Sequence, residues 1–542
     1  MSKKSVVDEA DYVVVGAGSA GCALAARLAE SGASVVLIEA GGSDDKFMYK
    51  TPGMIGPMHA VPQLKKLADW GYYSTPQANA LGRTIPQTRG KVLGGSSSVN
   101  GMLWVRGNRA NYDAWAAEGN KGWSADEVNR TYKRIEDFEG GSDEYRGAGG
   151  PIKVTRHTQP SEASALFAAA AADTLDVPVL DDYNGASQEG VGTFQQSASN
   201  GLRYSSSRGY LHNGVPKPTL SVQIGLTVAK VIVDGGRATG VEVVDKSRDR
   251  HTIRAGHEVI LSAGVFGSPQ ILMLSGIGHA DHLTEHGITA VADLPVGDNM
   301  HDHLFVPTTW LMPTAKHRGI PTYYARGVAK QVTRGGSFLE NSVFDTVGFV
   351  RSSLATDVPD LQIHVLPWCY PSPNQDSPKF HAVDRRPGLT VMSTLIYPRS
   401  RGTLRLRSND PTAAPLIDFD YLSDRADVQV LQEGVEMIRS VMANAKIASA
   451  SNGELHPGPQ FAGNALSDEI RNRATTVYHG VGSCRMGVDE RAVVDPELRV
   501  RGIEGLRVAD ASIMPSIVGG NTNAPSIMIG EKCAEAILGE RA

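Results

Sequence analysis

The first forty residues alternate between apolar runs and a polar break in a pattern that predicts a βαβ unit. Tyr12 to Val15 is a short apolar run rich in β-branched residues, and Cys22 to Glu30 carries Ala and Leu at helical spacing. A second apolar run, Ser34 to Ile38, ends at the acidic Glu39, and the glycine-rich stretch 16–21 separates the first run from the helix. A strand, a glycine-rich turn, a helix, a strand and an acid in this order are typical of a dinucleotide-binding fold.

The residues of this turn have separate physical roles. Gly16 permits the tight turn, Gly18 lets the backbone approach a pyrophosphate, and Gly21 lets the helix pack closely on the strand. We expect the pyrophosphate at the positive N-terminus of the helix. The carboxylate of Glu39 can accept a hydrogen bond from a ribose hydroxyl and would repel a 2′-phosphate. The pattern therefore disfavours NADP and leaves NAD and FAD equally open.

A second glycine- and serine-rich segment, residues 89–102, carries apolar residues near both ends. Its glycines allow the backbone to curl, and its hydroxyls and amides can hydrogen-bond a flat polar ring. Val92 and Met102 are apolar anchors that a flexible Ser/Gly linker would not need. We expect this loop to pack against a cofactor.

Dinucleotide-fold patterns return late in the chain. His257 to Ser262 reads as a buried strand, and the dipeptide Ser268-Pro269 predicts a helix start, with Ser268 as N-cap and Pro269 at the first position. Leu506 to Asp510 is a short strand ending in an acid, and Pro525 to Leu538 is helical. The nucleotide-binding domain is therefore expected to be discontinuous.

The middle of the chain, Phe305 to Arg473, has a different pattern. Strand-like runs such as Asp360 to Leu366 and Leu389 to Tyr397 precede a helix predicted at Asp424 to Ala443. This pattern indicates an antiparallel sheet flanked by helices, which could form the wall of a substrate pocket. The expected fold class is α/β, α+β overall, with a Rossmann-like domain and this second domain.

Composition limits the classes of protein to which the chain could belong but does not select one of them. A chain of 542 residues exceeds what one core usually supports, so two domains are expected. The net charge of −5 gives no reason to propose nucleic acid or an anionic membrane as a partner. Four scattered cysteines and the lack of an apolar leader or an 18-residue apolar run predict a cytoplasmic protein without a membrane span.

Two polar residues near the end are candidates for chemistry. His479 and Asn523 both lie in glycine-rich, non-periodic segments next to nucleotide-fold elements, where loops carry function. Histidine suits proton transfer near neutral pH, although a lone histidine is more often structural. Asn523, just before Ala524-Pro525, could equally be a helix N-cap. The cluster His301-Asp302-His303 lacks a third ligand at metal-binding spacing, so we expect a turn there and no metal.

Over its full length the sequence resembles the glucose-methanol-choline (GMC) oxidoreductases. The stretches that carry the resemblance are Gly16 to Gly21 with Glu39, Gly90 to Asn100 continuing through Arg106-Gly107-Asn108, Ser268-Pro269 with Ser275 to Gly278, His479 to Gly487, and Asn521 to Pro525 with Ile529 to Lys532. The resemblance implies FAD, a hydride transferred from an alcohol to flavin N5, and an acceptor that is either O2 or a quinone or similar compound.

The resemblance also assigns residues and domain boundaries. It implies His479 as the base or polariser of the substrate hydroxyl and Asn523 as the second active-site residue. The expected boundaries are 1–158, 203–306 and 474–542 for the FAD-binding domain, and 159–202 and 307–473 for the substrate domain. The expected cofactor-binding residues are Gly16, Gly18, Ser19, Ala20, Gly21, Glu39, Ala40, Trp70, Arg89, Val92, Gly94, Ser96, Asn100, Gly101, Met102, Val228, Ala263, Asp510, Ala511, Asn521 and Ala524.

Two departures from the family pattern are informative. Members that bind FAD covalently have a histidine where this chain has Val99, so we expect non-covalent FAD. Choline-specific members have a glutamate where this chain has Phe305, so we expect a neutral, partly apolar alcohol as substrate.

Other functions on the same fold remain as alternatives. A hydroxynitrile lyase uses the flavin without redox turnover. A light-driven fatty-acid decarboxylase needs no pair such as His479 and Asn523, whose presence speaks against it. A flavoprotein that only binds a partner or senses redox state is the least catalytic alternative.

Overall fold

The computed structural model describes residues 7–213, 215–315, 320–370 and 386–540. The strands are Glu9–Val15 (β1), Val35–Glu39 (β2), Tyr72–Tyr73 (β3), Pro86–Gln87 (β4), Glu136–Phe138 (β5), Ile152–Arg156 (β6), Val179–Leu180 (β7), Gly190–Thr193 (β8), Gln195–Gln196 (β9), Ala198–Ser199 (β10), Leu202–Arg203 (β11), Leu220–Ile224 (β12), Thr227–Asp234 (β13), Arg237–Val244 (β14), Arg250–Leu261 (β15), Leu304–Leu311 (β16), Thr346–Val350 (β17), Leu361–Leu366 (β18), Gly388–Leu395 (β19), Thr403–Arg405 (β20), Leu416–Asp418 (β21), Glu454–His456 (β22), Thr475–Thr476 (β23) and Leu506–Val508 (β24).

The helices complete the element order. The α-helices are Ser19–Glu30 (α1), Phe47–Lys50 (α2), Ile55–Ala60 (α3), Pro62–Lys65 (α4), Arg109–Ala117 (α5), Ala125–Ile135 (α6), Glu162–Thr174 (α7), Gly264–Leu274 (α8), Ala280–Glu285 (α9), Pro321–Thr333 (α10), Arg425–Met442 (α11), Ala445–Ala448 (α12), Asn464–Arg473 (α13) and Asn523–Gly539 (α14). Short 3-10 turns include Gly95–Ser98 and Ala511–Ile513. No helix within the described ranges has the length and apolar character that a bilayer crossing requires.

The first sheet is the nucleotide-binding layer. Its order is β12-β2-β1-β15-β14-β13, with β24 paired to β15. The central pairs are parallel, with Val13 opposite Val36 on one side and Val259 on the other. These strands are apolar on both faces because helices pack against both, as expected for a parallel sheet. The C-terminal helix α14 lies directly against α1, and a Cβ at Gly530 would come within 2.3 Å of the Ala20 carbonyl oxygen.

The second sheet forms the substrate-side layer. Its order is β22-β16-β19-β18-β17-β8-β7, with β23 paired to β16, and its pairs are antiparallel except β7 with β8. Because strand side chains alternate between faces, Phe305, Thr394, Gln362 and Phe349, which are aligned across β16, β19, β18 and β17, lie on one face. The expected fold class, with a parallel nucleotide-binding sheet and an antiparallel substrate sheet, is confirmed.

The strands also show how the chain divides between the two sheets. Those of the nucleotide sheet lie in residues 1–158, 203–306 and 474–542. The substrate sheet takes strands from 159–202 and 307–473, but β16 begins at Leu304 and β23 lies at Thr475–Thr476, so both cross the expected limits. Each sheet thus takes its strands from separate segments of the chain, as the discontinuous arrangement predicts. The exact domain boundaries stay a prediction.

The helix start expected at Ser268-Pro269 is wrong. Helix α8 begins five residues earlier, at Gly264, and Pro269 lies inside it. A proline leaves the carbonyl four residues before it without its helical partner. Here that carbonyl, of Val265, accepts a hydrogen bond of 2.6 Å from the Ser483 hydroxyl. A side chain distant in sequence therefore permits the proline within the helix.

Candidate active site

The turn between β1 and α1 has the form of a pyrophosphate cradle. Helix α1 begins after Gly18 without a side-chain cap, so its first amide N–H groups remain available to an anion. A Cβ at Gly18 would meet only the Ser262 carbonyl oxygen, at 3.9 Å, which leaves an open approach. At Gly21, by contrast, a Cβ would lie 2.0 Å from the Gly16 carbonyl oxygen, so glycine is required for close packing.

Glu39 lies at the end of β2 as predicted. Its carboxylate accepts hydrogen bonds from the backbone N–H groups of Ala17 (3.1 Å) and Gly41 (2.7 Å), which leaves lone pairs for a further donor. Burial raises the pKa of this carboxyl to about 7, against the opposing effect of the two N–H groups. The arrangement fits a ribose hydroxyl as that further donor.

The loop at 89–102 packs onto this turn. The Gly94 N–H donates to the Ala17 carbonyl at 2.7 Å, and a Cβ at Gly95 would come within 2.7 Å of the Gly18 Cα. Asn100 accepts from the Met102 N–H at 2.9 Å and from the buried Arg203. The apolar anchors are buried, so the loop is fixed as predicted rather than flexible.

The other predicted cofactor positions lie around the same edge of the nucleotide sheet. Ala40 follows β2, Val228 lies in β13, Ala263 follows β15, Asp510 and Ala511 follow β24, and Ala524 lies in the first turn of α14. Val92, Ser96 and Gly101 belong to the packed loop. The backbone N–H of Trp70 donates to the carbonyl of Arg89, in the same loop, at 3.0 Å. The Asp510 carboxylate accepts from the Gly264 N–H, the Ser268 hydroxyl and the Ser512 N–H. Its observed contacts therefore join β24 to α8.

His479 lies where the two domains meet. Its Nδ1 is 3.0 Å from Nδ1 of His303, just before β16, and its Nε2 is 3.2 Å from Nδ2 of Asn521, in the loop before α14. The Nε2 of His303 is in turn 2.9 Å from the Ile396 carbonyl oxygen. These contacts form one continuous chain of hydrogen bonds through both rings.

This chain fixes the tautomer of His479. A carbonyl oxygen only accepts, so Nε2 of His303 carries the proton and its Nδ1 accepts. Nδ1 of His479 must therefore donate, which leaves its Nε2 with a lone pair facing the Asn521 amide N–H. The imidazole thus presents an unprotonated nitrogen at the domain boundary, as a general base requires.

The backbone around His479 is held from two sides. The buried Asp302 carboxylate accepts from the His479 N–H at 2.8 Å, from the Tyr421 hydroxyl at 2.6 Å and from the Thr476 hydroxyl. Arg89 donates to the carbonyl of Tyr478, which has a left-handed φ of 67° that bulky residues rarely adopt. These bonds maintain the turn that aims the imidazole at the boundary.

Electrostatics keep this imidazole neutral. Burial is the main cause that lowers the pKa of His479 well below its usual value, and His303, His364 and Arg89 add to the shift. Burial also lowers the pKa values of His303 and His364 to about 3. All three rings are therefore uncharged near neutral pH, and His479 can accept a proton.

The expected pairing of His479 with Asn523 is wrong. Asn521 contacts His479, whereas Asn523 accepts a 2.8 Å hydrogen bond from the Ser19 hydroxyl at the pyrophosphate turn. Asn523 is the first residue of α14, and Thr522 occupies the cap position, so the N-cap alternative for Asn523 is also wrong. Asn521, expected at the cofactor, contacts the base, and Asn523, expected at the base, contacts the pyrophosphate turn.

An apolar wall includes Phe305 and Val477, which lie two residues from His303 and His479 in the sequence. It consists of Ile55, Phe305, Val343, Leu366 and Met392, with Phe344, Trp368, Tyr370 and Val477 packed against it. Phe305 is buried, and its ring lies 6.3 Å from that of Tyr370. On the other side, His59 of α3 has its ring 6.0 Å from Tyr478, and burial lowers its pKa to about 4.

The sequence does not predict several of these residues as part of the site. His303 and Asp302 lay in a cluster interpreted as a turn, Gln362 lay within a strand, and His59 lay in a segment without periodicity. A polar residue at an inward position of an apolar strand is the signal that could have identified Gln362.

Comparison with known proteins supplies the family. The N-terminal part of the GMC oxidoreductase description matches residues 10–305, and its C-terminal part matches residues 398–530. The chain belongs to the GMC oxidoreductase family. It is 38% identical over 540 residues to the oxygen-dependent choline dehydrogenase of Brucella suis biovar 1 (strain 1330), covering 98% of this chain and 96% of that protein. The corresponding protein of Sinorhizobium medicae is also 38% identical, over 543 residues and with the same coverage.

Solved structures of two oxidases agree with this chain in fold. Pyridoxine 4-oxidase from Mesorbium loti superposes with a TM-score of 0.85 at 28% identity, over 97% of this chain and 98% of that one. Formate oxidase from Aspergillus oryzae reaches a TM-score of 0.90 at 26% identity, over 99% of both chains. The resemblance predicted from the motifs is thereby confirmed, and the protein is an enzyme of the oxidoreductase class.

Proposed function

We propose that this protein is an FAD-dependent oxidoreductase that converts a neutral, partly apolar primary or secondary alcohol into an aldehyde or ketone. The observation that carries the proposal is the placement of His479, whose Nε2 lies 3.2 Å from Nδ2 of Asn521 while its Nδ1 lies 3.0 Å from Nδ1 of His303. Family membership and the alcohol-oxidising relatives support the reaction class.

The residues around the boundary have complementary roles in this proposal. Nε2 of His479 accepts the hydroxyl proton, and the Asn521 N–H donates to the oxygen as negative charge develops on it. Bound FAD supplies the acceptor for the hydride that leaves the carbinol carbon. Asp302 and Arg89 keep the imidazole in place, and the apolar wall keeps water from the reacting carbon.

The cradle residues support non-covalent binding of FAD. Val99 packs with Tyr49, Met58, Ala68 and Val92, and its side chain offers no nucleophile to the flavin. Acid precipitation of the purified protein should release all of the yellow colour into the supernatant. Colour that remains on the precipitate would overturn the non-covalent assignment.

The apolar wall supports a neutral substrate. Phe305 occupies the position at which the choline-specific pattern has a glutamate, so a quaternary ammonium group would lack that carboxylate here. The 38% identical choline dehydrogenases make choline the competing substrate. A comparison of choline with 1-butanol and benzyl alcohol separates the two possibilities.

Anaerobic bleaching of the flavin tests the reaction class. Each alcohol is mixed with the yellow protein without oxygen, the loss of flavin absorbance is followed, and air is then admitted. Bleaching by a neutral alcohol supports the proposal, and faster bleaching by choline contradicts its substrate class. A flavin that stays oxidised with every alcohol would favour the lyase alternative. The rate of recolouring in air distinguishes O2 from a quinone-type compound as the acceptor.

A further inference from the structure

Gln362 is a fully buried amide in the middle of the substrate sheet. It lies in β18, on the face that it shares with Phe349 and Thr394 of the neighbouring strands. Its Nε2 donates a 3.1 Å hydrogen bond to Oδ1 of Asn521. An amide in an apolar strand costs free energy unless it is hydrogen-bonded, so this contact links Gln362 directly to the loop before α14.

The direction of this bond determines the orientation of the Asn521 side chain. Because Gln362 donates to Oδ1, the Nδ2 group of Asn521 must face Nε2 of His479. Nε2 of His479 therefore has to accept. The Ile396 carbonyl requires the same tautomer from the opposite end of the chain, through His303. The Ile396 carbonyl and the Gln362 amide are thus consistent with the same arrangement of protons.

The opposite orientation of Asn521 would break this agreement. Its Oδ1 would face the lone pair on Nε2 of His479, placing two acceptors together. Protonating Nε2 instead would leave Nδ1 of His479 facing Nδ1 of His303 with no proton between them. Either outcome leaves a buried polar pair unsatisfied, which is unfavourable because a buried group without a partner loses its hydrogen bonds to water.

We propose that Gln362 is a positioning residue for alcohol oxidation. It holds the Asn521 amide so that the N–H can donate to the substrate oxygen and Nε2 of His479 stays unprotonated, ready to accept the hydroxyl proton. The inference rests on the proposed function. The Oε1 of Gln362 is buried and accepts no hydrogen bond from any residue in the described ranges, so a carboxylate at this site would be uncompensated.

Two substitutions test the inference. Gln362→Glu keeps the shape but can only accept, so Asn521 rotates and presents Oδ1 to His479. The new charge would join His303, His364, Arg89 and Asp302, the titratable groups that face His479. We expect the rate of anaerobic flavin reduction to fall about 10-fold or more at pH 7. In the profile of this rate against pH, the acid limb should move to a pH about one unit higher or more.

Gln362→Met is the matched control for the lost donor. It fills a similar volume without charge, so the reduction rate should fall about 2–10-fold while the acid limb stays in place. In the Asn521→Ala background, Gln362→Met should have no further effect, because the residue through which it acts is gone. Equal falls in the Glu and Met variants with an unchanged acid limb would overturn the inference, as would full additivity with Asn521→Ala.

A measurement without substrate separates this inference from the proposed function. In protein labelled with ¹⁵N-histidine, the imidazole nitrogen shifts report the His479 tautomer, assigned by comparison with His479→Ala. The wild type should show a protonated Nδ1, and Gln362→Glu should show a protonated Nε2 or a doubly protonated ring. Identical tautomers in both proteins would contradict the positioning role even if alcohols bleach the flavin. If no alcohol bleaches the wild type, the proposed function fails while the tautomer test still decides the role of Gln362.

Discussion

The two asparagines before α14 should have separable roles when each is replaced by alanine. Asn521 contacts His479, and Asn523 contacts Ser19 at the pyrophosphate turn. Asn521→Ala removes the donor for the developing negative charge, and a hydrogen bond to a charged group contributes about 1.5–3 kcal/mol. Flavin reduction should therefore slow by about 10–150-fold while FAD stays bound.

Asn523→Ala should show the reverse behaviour. It loses one neutral hydrogen bond, with a contribution of about 0.5–1.5 kcal/mol, so FAD should bind about 2–10-fold more weakly. The loaded variant should still reduce its flavin within about twofold of the wild-type rate. Ser19→Ala is the matched control because it removes the other partner of the same bond, and the double variant should bind FAD no more weakly than either single variant.

Two assays read the difference. Stopped-flow absorbance under anaerobic conditions, at saturating alcohol, gives the rate of flavin reduction. Fluorescence titration of the apoprotein with FAD gives the affinity. If Asn523→Ala slowed reduction more than Asn521→Ala with both proteins fully loaded, the assignment of Asn521 to the base would be wrong.

Three further predictions concern the base and the substrate pocket. His479→Ala should lower the rate of flavin reduction by about 10²–10⁴-fold without loss of FAD, because general-base catalysis supplies a factor of that order; a change below about fivefold by stopped flow would refute this role. Burial holds the pKa of His479 well below 6.5, and the neutral ring is the active form. The kcat/KM should therefore be constant from pH 6.5 to 8 and fall only in more acidic buffer. An acid limb of this profile centred at or above pH 6.5 would contradict the lowered pKa of the base. Phe305→Glu should raise the ratio of choline to benzyl alcohol turnover relative to the neutral Phe305→Gln, and an unchanged ratio in steady-state assays would remove Phe305 as a determinant of substrate charge.

The sequence predicts the nucleotide-binding part well because its signals are local. Strand, turn, helix and acid lie within thirty residues of one another, and a Cβ at Gly16 or Gly21 would clash with nearby backbone atoms. The loop at 89–102 was identifiable for the same reason, since its apolar anchors flank its polar centre. For such segments, short-range spacing determines the geometry.

The active-site contacts are harder to predict from the sequence because they join residues that are far apart along the chain. His303 meets His479, and Gln362 meets Asn521, only after two sheets have formed and docked. Asn521 and Asn523 have the same chemistry and are two residues apart in a loop without periodicity. Which one faces the base depends on the backbone path through Gly520, whose φ is 149°. Likewise, the carbonyl that Pro269 leaves without a helical partner accepts its hydrogen bond from Ser483, a residue distant in sequence.

The contact between Ser19 and Asn523 joins residues 504 positions apart, and Gly530 of the same helix packs on Ala20. At the usual rate of synthesis of ~5–20 residues per second, the ribosome needs roughly 25–100 s to pass from one to the other. Throughout that interval the pyrophosphate turn exists without the helix that completes it. Tight cofactor capture therefore has to wait until α14 has been synthesised and has packed on α1. A shortage of FAD during expression should yield folded, colourless protein that takes up the cofactor afterwards.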